Sequence, residues 1–217
     1  MTIIFDRSKK ISLDDESFRS ELLSIASKID DVIPLGRGDP DFHTPKHIVD
    51  AAKKALDDNK HHYTPPNGLP ELRVAISKNL LKKYNLNYSE NEIVVTAGVQ
   101  ESIALAMLSL LEAGDEVLIT SPRFTTYDLN VRMCNAKPIP IPTYEKNNFS
   151  LMPKIIENKI NERTKVIVLV SPNNPTGAVT PPENIRKIAE IAIKHNLIVI
   201  ADEIYADLIY ENHQHLS

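Results

Sequence analysis

Four short segments of this sequence place glycine, amide, aromatic or carboxylate groups directly after apolar runs. They are residues 96–100, 121–127, 171–177 and 202–205. If the runs are strands of a parallel sheet, ligands bind beyond their carboxyl ends, so we expect these segments to lie at one ligand-binding edge.

The first of these segments carries Gly98, Val99 and Gln100 at the start of a predicted helix. Unpaired backbone N–H groups at a helix N-terminus attract anions, phosphate above all. The alternative is a tight turn that needs glycine for conformational reasons. The segment is neither a P-loop nor a dinucleotide-binding fingerprint, because it has neither motif's glycine spacing.

The other three segments offer further chemical groups. Phe124 could lie flat on a planar ring, or it could pack in the core. Asn173 and Asn174 could be hydrogen-bond donors to a ligand or members of a turn. Asp202 ends an apolar run, where a carboxylate needs a hydrogen-bonding or cationic partner unless it caps a helix. Tyr205, three residues later, could reach the same partner.

Together these groups predict a particular kind of ligand. A flat heterocycle with a phosphate arm, a ring oxygen and a protonatable ring nitrogen would satisfy all of them. Pyridoxal 5′-phosphate is such a molecule, and an acidic partner on its ring nitrogen makes it an electron sink.

Hydrophobic periodicity predicts the elements that must position these groups. Strands are predicted over residues 93–97, 117–120, 137–142, 165–170 and 197–201. Amphipathic helices are predicted across residues 13–27, 48–56, 70–80, 103–111 and 182–195. The alternation indicates an α/β fold with a mostly parallel sheet flanked by helices, preceded by an N-terminal helical arm. The prolines of 137–142 favour an edge strand, and the two last runs are typical of strands buried on both faces.

Composition narrows the class of protein further. The 217 residues include 25 Lys and Arg and 29 Asp and Glu, a net charge of −4, which argues against a nucleic-acid partner. No apolar run approaches the roughly 18 residues that span a bilayer, so no membrane partner is expected. The single cysteine, Cys134, excludes an internal disulfide and a Cys-based zinc site, and no metal site is predicted. The expected compartment is a reducing cytoplasm.

On these motifs the sequence resembles the fold-type-I pyridoxal-phosphate enzymes, specifically the class I/II aminotransferases. The resemblance extends from about residue 33 to residue 205. Its segments are GDPDFHTP (38–45), YTPPNGLPELR (63–73), VTAGVQESI (95–103), SPRFTTY (121–127), SPNNPTG (171–177) and ADEIY (201–205). The resemblance implies an N-terminal arm and small-domain segment over residues 1–45, and an incomplete cofactor-binding large domain over residues 46–217.

The resemblance also implies roles for individual residues around the cofactor. Asp202 would pair with the pyridine nitrogen, Phe124 would stack on the ring, and Asn174 and Tyr205 would hydrogen-bond the ring oxygen. The near side of the phosphate cup would be formed by Gly98, Val99 and Gln100.

Two further positions concern the substrate and the partner subunit. Gly38 is expected to lie against the substrate carboxylate, where Asn174 is also a substrate-binding candidate. Tyr63 is expected to reach the phosphate of a neighbouring subunit, which implies a homodimer with shared active sites.

The family's lysine that forms the Schiff base with the cofactor has no counterpart in this sequence. By resemblance it lies in an SxSK-like segment after the strand that ends in ADEIY, and none of the lysines here stands in such a segment. No catalytic residue is therefore predicted within these 217 residues. The family's sheet order, 3-2-4-5-6-7-1, also leaves the strand predicted at 93–97 without its neighbours.

Transamination between an amino acid and a 2-oxo acid is the predicted reaction of the parent protein, with this chain alone inactive. One alternative is a pyridoxal-phosphate-dependent C–S β-lyase on the same scaffold. The other is a non-catalytic fragment, or a subunit that needs a complementing chain.

Overall fold

The computed structural model describes residues 21–22, 24–33, 40, 42–211 and 213–217. Within these ranges the chain divides into two compact units, one up to Val95 and one from Thr96 to Ser217. The domain boundary expected at residue 45 stays a prediction. The predicted helix over 13–27 lies largely outside the described residues, of which 21–22 and 24–26 are helical.

The first unit contains the two helices expected from its amphipathic patterns. Helix α1 covers Lys46–Asp57 and helix α2 covers Pro70–Tyr84, followed by a 3-10 turn over Glu90–Glu92. Pro70 occupies the start of α2, where its missing N–H group removes no helical hydrogen bond. Asn85 ends the helix in the left-handed conformation, with φ of 57°.

The residues predicted as a strand at 93–97 form no strand in the described chain, so that prediction is wrong. The N–H of Val95 instead donates to the carbonyl of Asn67 over 3.1 Å. This contact explains Gly68, whose φ is +96° and whose added Cβ would lie 2.6 Å from the Val95 Cβ. The backbone of the NGLP segment therefore packs directly against the side chain of Val95.

The second unit alternates helices and strands, as predicted. Its elements are α3 (Val99–Leu110), β1 (Glu116–Ser121), α4 (Thr126–Met133), β2 (Lys137–Pro142), α5 (Pro153–Glu157), β3 (Thr164–Val170), α6 (Pro182–Lys194) and β4 (Ile198–Asp202). The four strands pair in parallel in the order β2-β1-β3-β4. This confirms the α/β class and agrees with the 3-2-4-5 part of the order that the resemblance implies.

Each face of the sheet is covered by its own hydrophobic cluster. Val166, Val168 and Val170 of β3 belong to the cluster under α3 and α4, which we call the α3–α4 face. Ile167 and Leu169 point the other way, into the cluster under α5 and α6, the α5–α6 face. Side chains alternate along a strand, so β3 serves both clusters.

The sequence predicted one edge strand of the sheet correctly and the other wrongly. Strand β2 is an edge strand, as its prolines indicated. Proline has no N–H group to donate to a neighbouring strand, so it is tolerated mainly at the edge of a sheet. Strand β4 was expected to be buried on both faces, and that expectation is wrong. Ile198 and Val199 are 38% and 37% exposed, since among the described residues β4 pairs only with β3.

Helix α6 confirms its predicted range to within one residue, but its buried face differs from the predicted one of Ile185, Ile188, Ala189 and Ala192. Ile188 and Ala192 are buried, Ile185 is half-buried and Ala189 is exposed, whereas Ile191 is buried without having been predicted. No helix within the described ranges is long and apolar enough to cross a bilayer.

A buried carboxylate at the start of β1 makes the stability of the second unit depend on pH. Glu116, whose side chain is 4% exposed, accepts hydrogen bonds from Asn161 Nδ2 (2.7 Å) and from Arg163 Nε (3.2 Å). The Asn161 hydrogen bond and then the Arg163 charge lower the pKa of Glu116, and burial opposes them. A depressed folded-state pKa stabilises the fold above the unfolded pKa, and that stabilisation is lost as the pH falls through the folded pKa.

We therefore expect Glu116→Gln to lower the free energy of unfolding by about 1–3 kcal/mol at pH 7. Its cost should shrink as the pH falls through the folded-state pKa, because the wild-type carboxyl then becomes protonated and uncharged, like the amide. Urea unfolding of both proteins between pH 3 and pH 7 measures this difference. Glu162→Gln, in an exposed position of the same turn, is the control. An equal cost at both ends of the pH range would contradict the prediction.

Candidate functional site

Asp202 lies at the carboxyl end of β4, in register with Val170 of β3, and is 7% exposed. Its Oδ2 accepts a hydrogen bond from the Tyr127 hydroxyl over 2.6 Å. Its Oδ1 accepts the Ile204 N–H over 3.1 Å. Residues 204–207 form a turn rather than a helix, so the alternative that Asp202 caps a helix is wrong. The carboxylate is held by two donors, and none of the ion pairs found among the described residues includes it.

Tyr127 is the residue at this site that the sequence analysis missed. It stands in the first turn of α4 and is 4% exposed. Burial first, then the hydrogen bond to Asp202 and the charges of Asp202 and Tyr205, raise the pKa of Tyr127 well above its usual range. The phenol therefore stays protonated and remains a donor. Its place in SPRFTTY, one helical turn after Phe124, was the available signal.

The two asparagines of SPNNPTG have different environments. Asn173 belongs to the turn: its Nδ2 donates to Thr120 Oγ1 over 3.2 Å and its Oδ1 accepts from Thr176 over 3.1 Å. Asn174 Nδ2 instead lies 3.4 Å from the Tyr205 hydroxyl, at the long limit of a hydrogen bond. The structure thus brings Asn174 and Tyr205 together, as their predicted common partner requires.

The turn after β1 is held by an ion pair that leaves Phe124 against the core. Arg123 donates from Nε to Asp128 over 2.6 Å and from Nη1 to the Thr120 carbonyl over 3.2 Å. Phe124 is half-buried and packs against the α3–α4 face, as does Val99. Core packing of Phe124 is therefore observed, and stacking of its ring on a ligand stays a prediction.

The start of α3 has the backbone form that an anion site needs. Gly98 precedes the helix with φ of +83°, a conformation that favours glycine. Among the hydrogen bonds of the described residues, none uses the N–H groups of Val99 and Gln100. Two donors at a helix N-terminus are thus available, and phosphate binding there stays a prediction.

Two predicted positions, Tyr63 and Gly38, do not belong to the described part of the second unit. Tyr63 belongs to the first unit and its side chain is fully exposed. Gly38 lies outside the described residues. Their expected roles toward a partner subunit and a substrate carboxylate stay predictions.

Replacing Tyr127 by Phe tests the contact to Asp202. We expect the free energy of unfolding to fall by about 1–3 kcal/mol, because one oxygen of a buried carboxylate loses its donor. Urea unfolding at pH 7 measures the change. Tyr144→Phe, at a position 46% exposed, should change it by less than about 0.5 kcal/mol. Equal effects of the two substitutions would show that the Tyr127 hydroxyl contributes nothing specific.

Comparison with known proteins gives a consistent result for nearly the whole chain. The family model "Aminotransferase class I and II" matches residues 30–217. An aspartate aminotransferase of Pyrococcus horikoshii is 44% identical over 208 residues, 96% of this chain and 53% of its own length.

Solved structures are similar in fold over the same region. The aspartate aminotransferase of Thermus thermophilus with maleate has a TM-score of 0.91 at 32% identity, covering 99% of this chain and 57% of that one. An aromatic aminotransferase of Pyrococcus horikoshii has a TM-score of 0.84 at 39% identity, covering 91% and 53%. The chain thus spans about half the length of the relatives it matches.

Proposed function

The chain belongs to the class I and II aminotransferases, and from this membership we propose that it binds pyridoxal 5′-phosphate as part of an aminotransferase. The proposed reaction moves an amino group between an amino acid and a 2-oxo acid. The observation that carries the proposal is the buried Asp202 carboxylate, held by Tyr127 at the carboxyl end of a parallel strand.

The residues of the second unit fit the cofactor group by group. Asp202 offers a buried anion, without a cation from the described residues, to a protonated ring nitrogen. Asn174 and Tyr205 offer an amide and a phenol, 3.4 Å apart, to the ring oxygen. Gly98, Val99 and Gln100 would form the phosphate cup, in which the N–H groups of Val99 and Gln100 at the helix N-terminus are the unused donors. Phe124 would lie against the ring.

When bound, the cofactor supplies an electron sink for the negative charge that develops at the substrate carbon. The protein's part is to keep the ring nitrogen protonated and the ring in place. A carboxylate in a low-dielectric site favours a neighbouring cation strongly, so Asp202 would hold the proton on that nitrogen. Tyr127 would keep the carboxylate in the orientation that this contact needs.

The substrates and the assembly are part of the same proposal. The names of the relatives, aspartate and aromatic aminotransferase, support an amino acid and a 2-oxo acid as the substrate pair. Gly38 and Asn174 would lie on the substrate side of the site. Tyr63, whose side chain is fully exposed, would reach the phosphate of a neighbouring subunit in a homodimer.

The reaction is tested on a protein that contains this chain together with the second half of the family's length. With pyridoxal 5′-phosphate and aspartate as the single amino acid, we expect stoichiometric formation of pyridoxamine 5′-phosphate and the matching 2-oxo acid. Repeating the assay with an amino acid that carries a sulfur substituent on Cβ tests the alternative. Release of pyruvate and ammonia, without lasting pyridoxamine 5′-phosphate, would replace transamination by β-elimination.

The 217-residue chain itself gives a second prediction, because none of its lysines stands in an SxSK-like segment. Borohydride reduction with pyridoxal 5′-phosphate should leave no stable pyridoxyl-lysine adduct at a single site, as read by peptide mass spectrometry. The chain unfolded in urea, treated in the same way, shows which lysines react without a folded site. A stoichiometric adduct at one lysine of the folded chain only would contradict the prediction.

A further inference from the structure

The turn that leads into α3 is braced by side chains on both sides of Gly98. Thr96 Oγ1 donates to the Gly98 carbonyl over 3.0 Å and lies 2.6 Å from Ser102 Oγ. The Ala97 N–H donates to Glu101 Oε2 over 2.5 Å. The turn is therefore tied to the first helical turn of α3 at two points.

These contacts decide which backbone donors remain available. The Gly98 N–H is used, since it donates to the Thr96 carbonyl over 2.8 Å. Glu101 directs its carboxylate back to Ala97, before the helix, so that Val99 and Gln100 keep their N–H groups free of acceptors in the described chain. A carboxylate in the first turn commonly stabilises a helix through its dipole. Here the Glu101 carboxylate also fixes the turn before the helix, and this turn sets the direction of the unused N–H groups of Val99 and Gln100.

We propose that Glu101 is a positioning residue for the phosphate of the cofactor, a proposal that rests on the proposed function. Gly98, at φ +83°, is a residue with wide conformational freedom, and a free turn would have to be ordered when the phosphate binds. The Glu101–Ala97 hydrogen bond orders it beforehand. The useful property of Glu101 is its acceptor oxygen rather than its charge, because a second anion near a phosphate disfavours binding.

Two ligands that differ only in the phosphate separate this role from a merely structural one. Pyridoxamine 5′-phosphate and pyridoxamine form no covalent bond with a lysine, and their dissociation constants can be measured by fluorescence titration of the 217-residue chain. The wild-type chain should bind the phosphorylated ligand more tightly. Glu101→Ala should reduce that preference by about tenfold, as expected for the loss of one hydrogen bond, and leave the affinity for pyridoxamine unchanged.

Three further variants complete the experiment. Glu101→Gln keeps an acceptor oxygen and should retain the preference. Glu101→Met removes the acceptor but keeps a long unbranched side chain and a good helix former, so it replaces the Ala variant if that one fails to fold. Glu183→Ala is the matched control, because Glu183 also stands in the first turn of a helix of this unit and should leave the preference unchanged.

The outcomes distinguish this inference from the proposed function. A wild-type chain that binds both ligands equally would overturn the phosphate site and the proposal that rests on it. A wild-type preference that survives in both Glu101→Ala and Glu101→Met would overturn only the role of Glu101. Loss of the preference in Glu101→Gln would also overturn it, since the acceptor oxygen is present there.

Discussion

Replacing Asp202 by Asn should weaken the binding of pyridoxamine 5′-phosphate to this chain by at least about 30-fold. Removing one partner of a buried, hydrogen-bonded charge pair costs about 2–5 kcal/mol, and 2 kcal/mol corresponds to that factor. The partner lost is the anion opposite the ring nitrogen, which in the wild type lies buried at the end of β4. Fluorescence titration at pH 7 measures the change.

The substitution is chosen so that the fold is left intact. Asn can keep both contacts, because its Oδ1 can accept the Ile204 N–H and its Nδ2 can donate to the Tyr127 hydroxyl oxygen. The melting temperature of the ligand-free chain should therefore stay within about 4 °C of the wild type. Glu203→Gln removes a charge from the adjacent residue and should leave the affinity within about twofold. If Asp202→Asn binds as tightly as Glu203→Gln, Asp202 does not face the ring nitrogen and the proposed function loses its main support.

Much of the second unit could be predicted from the sequence because its signals are local. Strands β1 to β4 lie within two residues of the apolar runs that predicted them, since each run ends at, or no more than two residues before, a proline or an aspartate. The position of Asp202 at a strand end was predicted in the same way, because this charged residue directly follows an apolar run. The pairing of Asn174 with Tyr205 was expected because both follow neighbouring parallel strands.

Two features could not be predicted because they depend on partners far along the chain. Tyr127 and Asp202 are 75 residues apart, and periodicity does not say which donor reaches a strand-end carboxylate. The exposure of Ile198 and Val199 in β4 could not be predicted either, because it depends on which strands pair with β4. An apolar run shows that a strand can be buried on both faces, whereas its burial depends on the neighbours that the sheet supplies.

The central strand β3 carries the largest expected effect on stability. Ile167 is fully buried on the α5–α6 face, between Leu118 of β1 and Val199 of β4 in the register of the sheet. We expect Ile167→Ala to lower the free energy of unfolding by about 2–5 kcal/mol, because it removes buried carbons and leaves a cavity. Since domains of this kind are stable by only about 5–15 kcal/mol, that is a large share of the total.

Urea unfolding at pH 7 measures this loss, and two variants make it interpretable. Ile193→Ala, on α6 at a position 81% exposed, should cost less than about 0.5 kcal/mol. Ile167→Val should cost about 0.5–1.5 kcal/mol and replaces the Ala variant if that one does not fold. A cost for Ile167→Ala no greater than that for Ile193→Ala would show that β3 is not packed between the two faces as described.

Substitutions of Ile167 and of Asp202 separate effects on stability from effects on ligand binding. Val99, Phe124 and Tyr127 pack on the α3–α4 face, opposite the face into which Ile167 points. A cavity beneath α5 and α6 therefore removes no contact of the proposed site. Below its unfolding transition, Ile167→Val should bind pyridoxamine 5′-phosphate as the wild type does, whereas Asp202→Asn should lose affinity without losing stability. If instead the Ile167 variant lost affinity as well, the two faces of the sheet would be coupled, and the site would depend on the packing of both.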